Sequence, residues 1–176
     1  MTLIRRTVKY FYMKLKFMKY PKFKWNGKNF IFCNLEVDKT SEVDCGNIGF
    51  GCGCSIRVRK NAKFIVGDNV CFNNNCVLTC RSEIRIGNNV SFGPNCLIFD
   101  NDHDYTCEDY FNNYKANPII IEDNVWIGGG AIILRGSIIH ENAVIGAGVV
   151  VKGEIPANTV VINKQDLVFK EYVRKM

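Results

Sequence analysis

The chain has 176 residues, of which 47% are hydrophobic, a size that suits one domain with a buried core. No apolar run is long enough to span a bilayer, and the start lacks an uninterrupted apolar stretch with a small-residue cleavage site. The nine cysteines are therefore expected reduced, in a cytoplasmic compartment, rather than in disulfides. The net charge of +6 is uneven: residues 1–35 carry nine Lys and Arg and no Asp or Glu, against 14 basic and 17 acidic residues in the remainder.

Residues 1–30 read as a basic amphipathic segment. Ile4, Val8, Phe11, Leu15 and Met18 fall on one face of a helix, and Pro21 ends or kinks it. Two roles stay open. The helix could cover the first coil of a stacked structure. It could instead lie on an anionic membrane or glycan surface, at the inner face of a membrane. Nucleic acid is not expected as a partner, since no recognition motif accompanies the charge.

From Phe30 the pattern is strand-like but irregular, with Ile31, Leu35, Val37 and Val43. Sixes begin to register at Ile48, and Val66, eighteen residues later, is expected one full coil on. Val66, Phe72 and Leu78 run in phase, as do Ile86, Phe92 and Ile98 after a two-residue slip. Cys52, Cys76 and Cys96 fall where small side chains are wanted, and a free Cys packs as a small hydrophobe. The Cys52-Gly53-Cys54 spacing does not complete a zinc site, and no metal is expected.

Residues 99–118 break the repeat. They are polar, acidic and aromatic, and an insertion into a tightly cornered solenoid must protrude as a loop, where function concentrates. The loop holds His103, one of two histidines, flanked by Asp102 and Asp104, which could orient the ring or raise its basicity. Histidine is the side chain best matched to proton transfer near neutral pH. The other histidine, His140, reads as an exposed surface residue.

Residues 119–151 are the clearest stretch. Ile121, Ile127, Ile133, Ile139, Ile145 and Val151 recur every six positions, with Val125, Ala131, Ser137, Ala143 and Val149 four positions after the first five. Neither a helix nor an ordinary strand has this period; a hexapeptide repeat of a parallel β-helix does. The repeat covers roughly residues 48–162 within a β-helical domain set at 31–163. The tail, 164–176, with Leu167, Val168, Phe169, Tyr172 and Val173, is expected to form a short helix over the last coil.

These hexads, the loop sequence Asn101-Asp102-His103-Asp104, the run Asp123 to Ala131 and the run Ala143 to Lys152 resemble the hexapeptide-repeat acyltransferases, in particular their sugar O-acetyltransferase branch. The resemblance implies an all-β solenoid, a left-handed parallel β-helix, despite the usual right-handed preference of crossovers. It implies a homotrimer with sites between neighbouring copies and acetyl-CoA as donor. His103 matches the family's general base, acting on a sugar hydroxyl. Trp126 matches a tryptophan near the thioester, where its indole N–H could assist the oxyanion; packing at a corner is the plain alternative. Gly129, Gly130 and Ala147 match positions that contact CoA, in a glycine run open to the pantetheine arm, and Lys152 matches a charge near the CoA phosphates. Asn73 or Asn75 matches an acceptor-binding asparagine, and Asp102 and Asp104 flank the same acceptor.

The implied activity is acetyl transfer to a sugar hydroxyl of a cell-surface polysaccharide, capsule or lipopolysaccharide, or its precursor. His103 is followed by Asp104 where the disaccharide enzymes commonly have Pro, which disfavours a free disaccharide. An N-acetyltransferase on an amino sugar, a xenobiotic acetyltransferase and a non-catalytic β-helix scaffold stay open beside it.

Overall fold

The computed structural model describes Tyr12, Leu15, residues 20–25, residues 33–164, Phe169 and Lys170. The chain winds as a left-handed parallel β-solenoid with three flat faces. Face 1 stacks 23–25, 42–45, 63–66, 83–86, 119–121, 138–139 and 154–155; face 2 stacks 48–50, 70–72, 91–92, 126–127, 144–145 and 160–161; face 3 stacks 33–37, 54–58, 77–80, 97–99, 132–134 and 150–151. The chain passes from face 1 to face 2 to face 3 and back, so the prism has three edges.

The hexad aliphatics form the inner ladders. Ile121, Ile127, Ile133, Ile139, Ile145 and Val151 are all buried, as are Val125, Ala131, Ser137, Ala143 and Val149. Each buried Ile or Val contributes about 1.5–3 kcal/mol. Higher in the prism the rungs are larger: Phe50, Phe72 and Phe92 stack down face 2, with ring centroids 5.3 and 4.2 Å apart.

From Ile48 onward the perimeter shrinks along the axis. Ile48 lies beside Val70, Cys71 beside Ser91, Trp126 beside Val144, and Val144 beside Val160, which are coils of 22, 20, 18 and 16 residues. Only the third of these is three plain hexads. Ile48 and Val66 are therefore not a coil apart, contrary to the eighteen-residue expectation. Ile48 stands on face 2, and Val66 stands on face 1 beside Cys45 and Ile86. The reason is the longer upper strands, which turn two residues inward each: Phe64 and Val66, Leu78 and Cys80, Ile84 and Ile86 are buried.

Left-handed backbone turns the corners. Asn69, Asn89, Asn124, Asn142 and Asn158, all at φ between 56° and 60°, occupy the face 1–2 edge, and Asn is the side chain besides Gly that best tolerates that region. Their amides bond along the stack, Asn69 to Asn89 to Asn124 and Asn142 to Asn158, at 3.0–3.1 Å.

Cys76 and Cys96 are buried as expected, but Cys52 is exposed. Cys52 sits at a corner, and Cys54 is the inward residue. The thiols of Cys54, Cys76 and Cys96 donate to the corner carbonyls of Asn73, Gly93 and Gly128 in the adjacent coil, at 3.1–3.3 Å. A thiol here fills a small site and satisfies a buried carbonyl.

Phe23–Trp25, inside the basic segment, pairs in parallel with Val43–Cys45 as a strand of face 1. The expected N-terminal helix (Ile4, Val8, Phe11, Met18) lies largely outside the described residues; Tyr12 and Leu15 are helical, and both are exposed. The expected C-terminal helix also lies largely outside them, and Phe169 and Lys170 belong to no regular element. No helix among the described residues is long and apolar enough to cross a membrane.

Candidate active site

The insertion sits where face 3 hands over to face 1. Residues Asn101–His103 and Tyr114–Ala116 pair antiparallel, with His103 opposite Tyr114, so the loop is a hairpin standing off that edge. Its root is Asp100, a fully buried carboxylate. Asp100 accepts the backbone N–H of Arg81 and of Ser82, at 2.8 and 2.7 Å, and the Asn101 side-chain amide at 2.9 Å. Burial, then the Asp100 charge, push the neighbouring Cys80 thiol above the ordinary range.

His103 is exposed near the hairpin's base. Its Nδ1 lies 3.0 Å from the Tyr110 carbonyl oxygen. A carbonyl only accepts, so Nδ1 carries the hydrogen and Nε2 presents a lone pair. The ring lies 4.5 Å from the Tyr114 ring and 6.0 Å from Phe111.

Neither flanking carboxylate orients this ring, contrary to expectation. Asp102 accepts from Arg135 Nε at 2.7 Å, tying the hairpin to the coil below. Asp104 accepts the Thr106 hydroxyl at 2.5 Å and pairs with Lys115 at 2.8 Å. Lys115, then Thr106, hold the Asp104 carboxyl well below its usual range. With both charges engaged elsewhere, the Tyr110 carbonyl is the acceptor that sets the tautomer of the imidazole.

The other predicted residues gather on a different edge, between faces 2 and 3. There the corner triplets Gly51-Cys52-Gly53, Asn73-Asn74-Asn75, Gly93-Pro94-Asn95, Gly128-Gly129-Gly130 and Gly146-Ala147-Gly148 stack, joined by backbone bonds such as Asn95 N to Asn74 O and Gly148 N to Gly129 O, both 2.9 Å. A Cβ on Gly128 would lie 2.6 Å from the Ala147 nitrogen, and Gly130 and Gly148 turn at φ of 70° and 69°. The coil stacking thus demands Gly128, and it leaves a smooth strip in which Gly130, Ala147 and Gly148 are exposed. Asn75 takes the same left-handed place, at φ 60°, so turn geometry accounts for it. Asn73 carries an exposed side chain where the other triplets begin with glycine, and its Oδ1 accepts the Asn74 N–H at 2.7 Å. Trp126 stands on face 2, 59% exposed, between Ser91 and Val144.

Lys152 is not on this strip. It follows Val150–Val151 of face 3 and stands on the hairpin's edge. Lys164 instead follows Asn163, whose amide donates to the Gly148 carbonyl at 2.8 Å at the foot of the strip. The predicted residues therefore divide in one copy: Asp102, His103, Asp104 and Lys152 on one edge, and Asn73, Asn75, Gly129, Gly130 and Ala147 on another, with Trp126 on the face beside the second. Sequence reading missed Asp100, Tyr110, Tyr114, Arg81 and Arg135; the one available signal was an Asp in line with the inward residues of face 3.

His140 is half-buried rather than fully exposed. Its Nε2 lies 2.7 Å from Glu154 and its Nδ1 3.1 Å from Glu122. Among the described residues no group of three or more His, Cys, Asp or Glu is placed to hold a metal.

Comparisons with known proteins converge on this architecture. The family described as bacterial transferase hexapeptide (six repeats) matches residues 118–153. A Saccharomyces cerevisiae protein assigned by name to the acetyltransferases is 38% identical over 111 residues, 62% of this chain and 57% of that protein. A maltose O-acetyltransferase from Clostridium difficile is similar in structure, with TM-score 0.55 and 34% identity, over 66% of this chain and 62% of that one. A hexapeptide-repeat acetyltransferase from Vibrio cholerae matches with TM-score 0.55 and 25% identity, over 84% of this chain and 72% of that one; the same protein has been solved with acetyl coenzyme A. The chain thus spans a little under two thirds of the yeast and Clostridium relatives.

Proposed function

The chain belongs to the hexapeptide-repeat acyltransferase family, and from that premise we propose that it transfers an acetyl group from acetyl-CoA to a hydroxyl of a sugar, with His103 as general base. The supporting observation is the His103 imidazole itself. It stands exposed on the hairpin that interrupts the solenoid, with Nδ1–H donated to the Tyr110 carbonyl, which leaves Nε2 of the neutral ring as the acceptor.

In this reading Nε2 takes the proton of the acceptor hydroxyl as its oxygen attacks the thioester carbonyl. The tetrahedral intermediate collapses by breaking the C–S bond, and the imidazolium returns the proton to the leaving thiolate. General-base help of this kind is worth about 10²- to 10⁴-fold. Acetyl-CoA would lie along the glycine strip, where Gly129, Gly130 and Ala147 offer backbone without side-chain bulk. Lys164 at its foot is a nearer partner for the phosphates than Lys152 of the same copy.

His103 and the strip stand on different edges, so the reading requires a second copy to supply the other half of each site, as in a trimer. Trp126 would then approach the thioester from that copy. Transfer to nitrogen, as on an amino sugar, is the second reaction to test, since a Staphylococcus aureus 2,3,4,5-tetrahydropyridine-2,6-dicarboxylate N-acetyltransferase, whose named acceptor is not a sugar, is 42% identical over 57 residues, 24% of its length.

The test is release of free CoA from acetyl-CoA with a panel of capsule and lipopolysaccharide fragments, followed by product analysis for ester or amide. Acetyl ester formation that disappears in His103→Ala, with acetyl-CoA binding kept, supports the reading. Full activity in that variant overturns it.

A further inference from the structure

We propose that Arg81 and Tyr114 are positioning residues for His103: a guanidinium, a phenol ring and the imidazole form one column that fixes the imidazole before substrate arrives. This rests on the reading of His103 as general base.

The column is geometric. The Arg81 guanidinium carbon lies 3.4 Å from the centroid of the Tyr114 ring, a contact that places a cation on the electron-rich face of an aromatic. The Tyr114 centroid lies 4.5 Å from that of His103, at 40° between planes, and the two residues are directly opposed across the hairpin. Arg81 is itself anchored, because its backbone N–H is donated to the buried Asp100 at 2.8 Å. Its Nε is buried without a hydrogen-bond partner among the described residues, so the ring contact is the visible reason for the guanidinium's place.

The chemistry explains why a column is needed. The imidazole turns about a soft, broad torsion. One hydrogen bond, from Nδ1 to the Tyr110 carbonyl, selects a tautomer but leaves the ring plane free to swing. The carboxylates that could have held the ring are taken by Arg135 and Lys115. Tyr114 closes one side of the swing, and Arg81 holds Tyr114 against the hairpin root. Both act through His103 and need no contact with the sugar or the donor.

The test uses the full chain with labelled histidine, in a His140→Gln background so that His103 alone is observed by nitrogen NMR. The parent should show the Nδ1–H tautomer as the dominant form. In Tyr114→Ala the two ring nitrogens should move toward the average of both tautomers, and kcat should fall about 10- to 100-fold with the KM for acetyl-CoA unchanged. Tyr114→Phe keeps the ring and should retain the tautomer and nearly all of kcat. Arg81→Met keeps the backbone bond to Asp100 and should lower kcat about fivefold, in proportion to one cation–aromatic contact.

An unchanged tautomer and kcat in both Tyr114→Ala and Arg81→Met would overturn the proposal. So would a Tyr114→Phe variant as impaired as Tyr114→Ala, since the hydroxyl rather than the ring would then matter. If Tyr114→Ala fails to fold, Arg81→Met decides. Activity surviving His103→Ala would remove the general base while the NMR result still reads the column, so the two failures are separable.

Discussion

The hairpin carrying His103 leaves the prism at the edge between faces 3 and 1, and Trp126 looks out from face 2, the face opposite that edge. Side chains so placed do not meet over one substrate within a single copy. His103→Ala should lower kcat by about 100-fold or more, and Trp126→Ala by about tenfold or more if its indole supports the oxyanion. Co-expressing the two variants with different tags should restore activity above the sum of the separate preparations, because some interfaces then pair an intact histidine with an intact tryptophan. Mixed assemblies that stay as inactive as their parents would place each site within one copy.

Asp100 is the root of the hairpin. Asp100→Ala leaves the Arg81 and Ser82 N–H groups without their acceptor, at a cost of about 2–4 kcal/mol. The denaturation midpoint should fall accordingly. Asp100→Asn, which keeps one oxygen acceptor, should fall less.

His140 gives a pH signature. Glu154 first, then Glu122, raise its pKa above the unfolded value of 6.5. A group raised in the folded state stabilises fully below the unfolded pKa and loses that contribution as pH rises through the folded one. The melting temperature of the parent should therefore drop more between pH 6 and the alkaline side of neutrality than that of His140→Gln. Parallel curves would show that the Glu–His–Glu cluster does not stabilise the fold.

Ile133 sits at the centre of the eighteen-residue coils, fully buried between Ile98 and Val151. Ile133→Ala should cost about 2–5 kcal/mol, read from denaturant unfolding. Val150→Ala, one strand position from the end of the same ladder but 56% exposed, should cost far less.

The stretch from Ile119 to Val151 was legible because each of its faces is one hexad wide, so every sixth residue truly repeats in space. Above it the period misleads. Phe64 and Val66 both turn inward on one strand, which stretches the coil and puts Ile48 and Val66 on different faces. The His103 hairpin announced itself as the stretch without sixes. Its internal partners did not, since Arg81 lies 33 positions before Tyr114 and only the antiparallel pairing over Asp100 brings guanidinium, phenol and imidazole together. Cys52 misled through the same extra inward residues: it lies two positions before the inward Cys54 and so falls at a corner.

A stack of parallel strands ends in open backbone, and open strand edges invite another molecule to continue the ladder. The shrinking perimeter opposes this. Laying the narrow end of the described solenoid, with its 16-residue turn from Val144 to Val160, on the other end, with its 20-residue turn from Phe23 to Val43, could align one side of the triangle but not three at once. The taper is thus a built-in obstacle to filament growth, and it would survive substitutions that merely change surface charge.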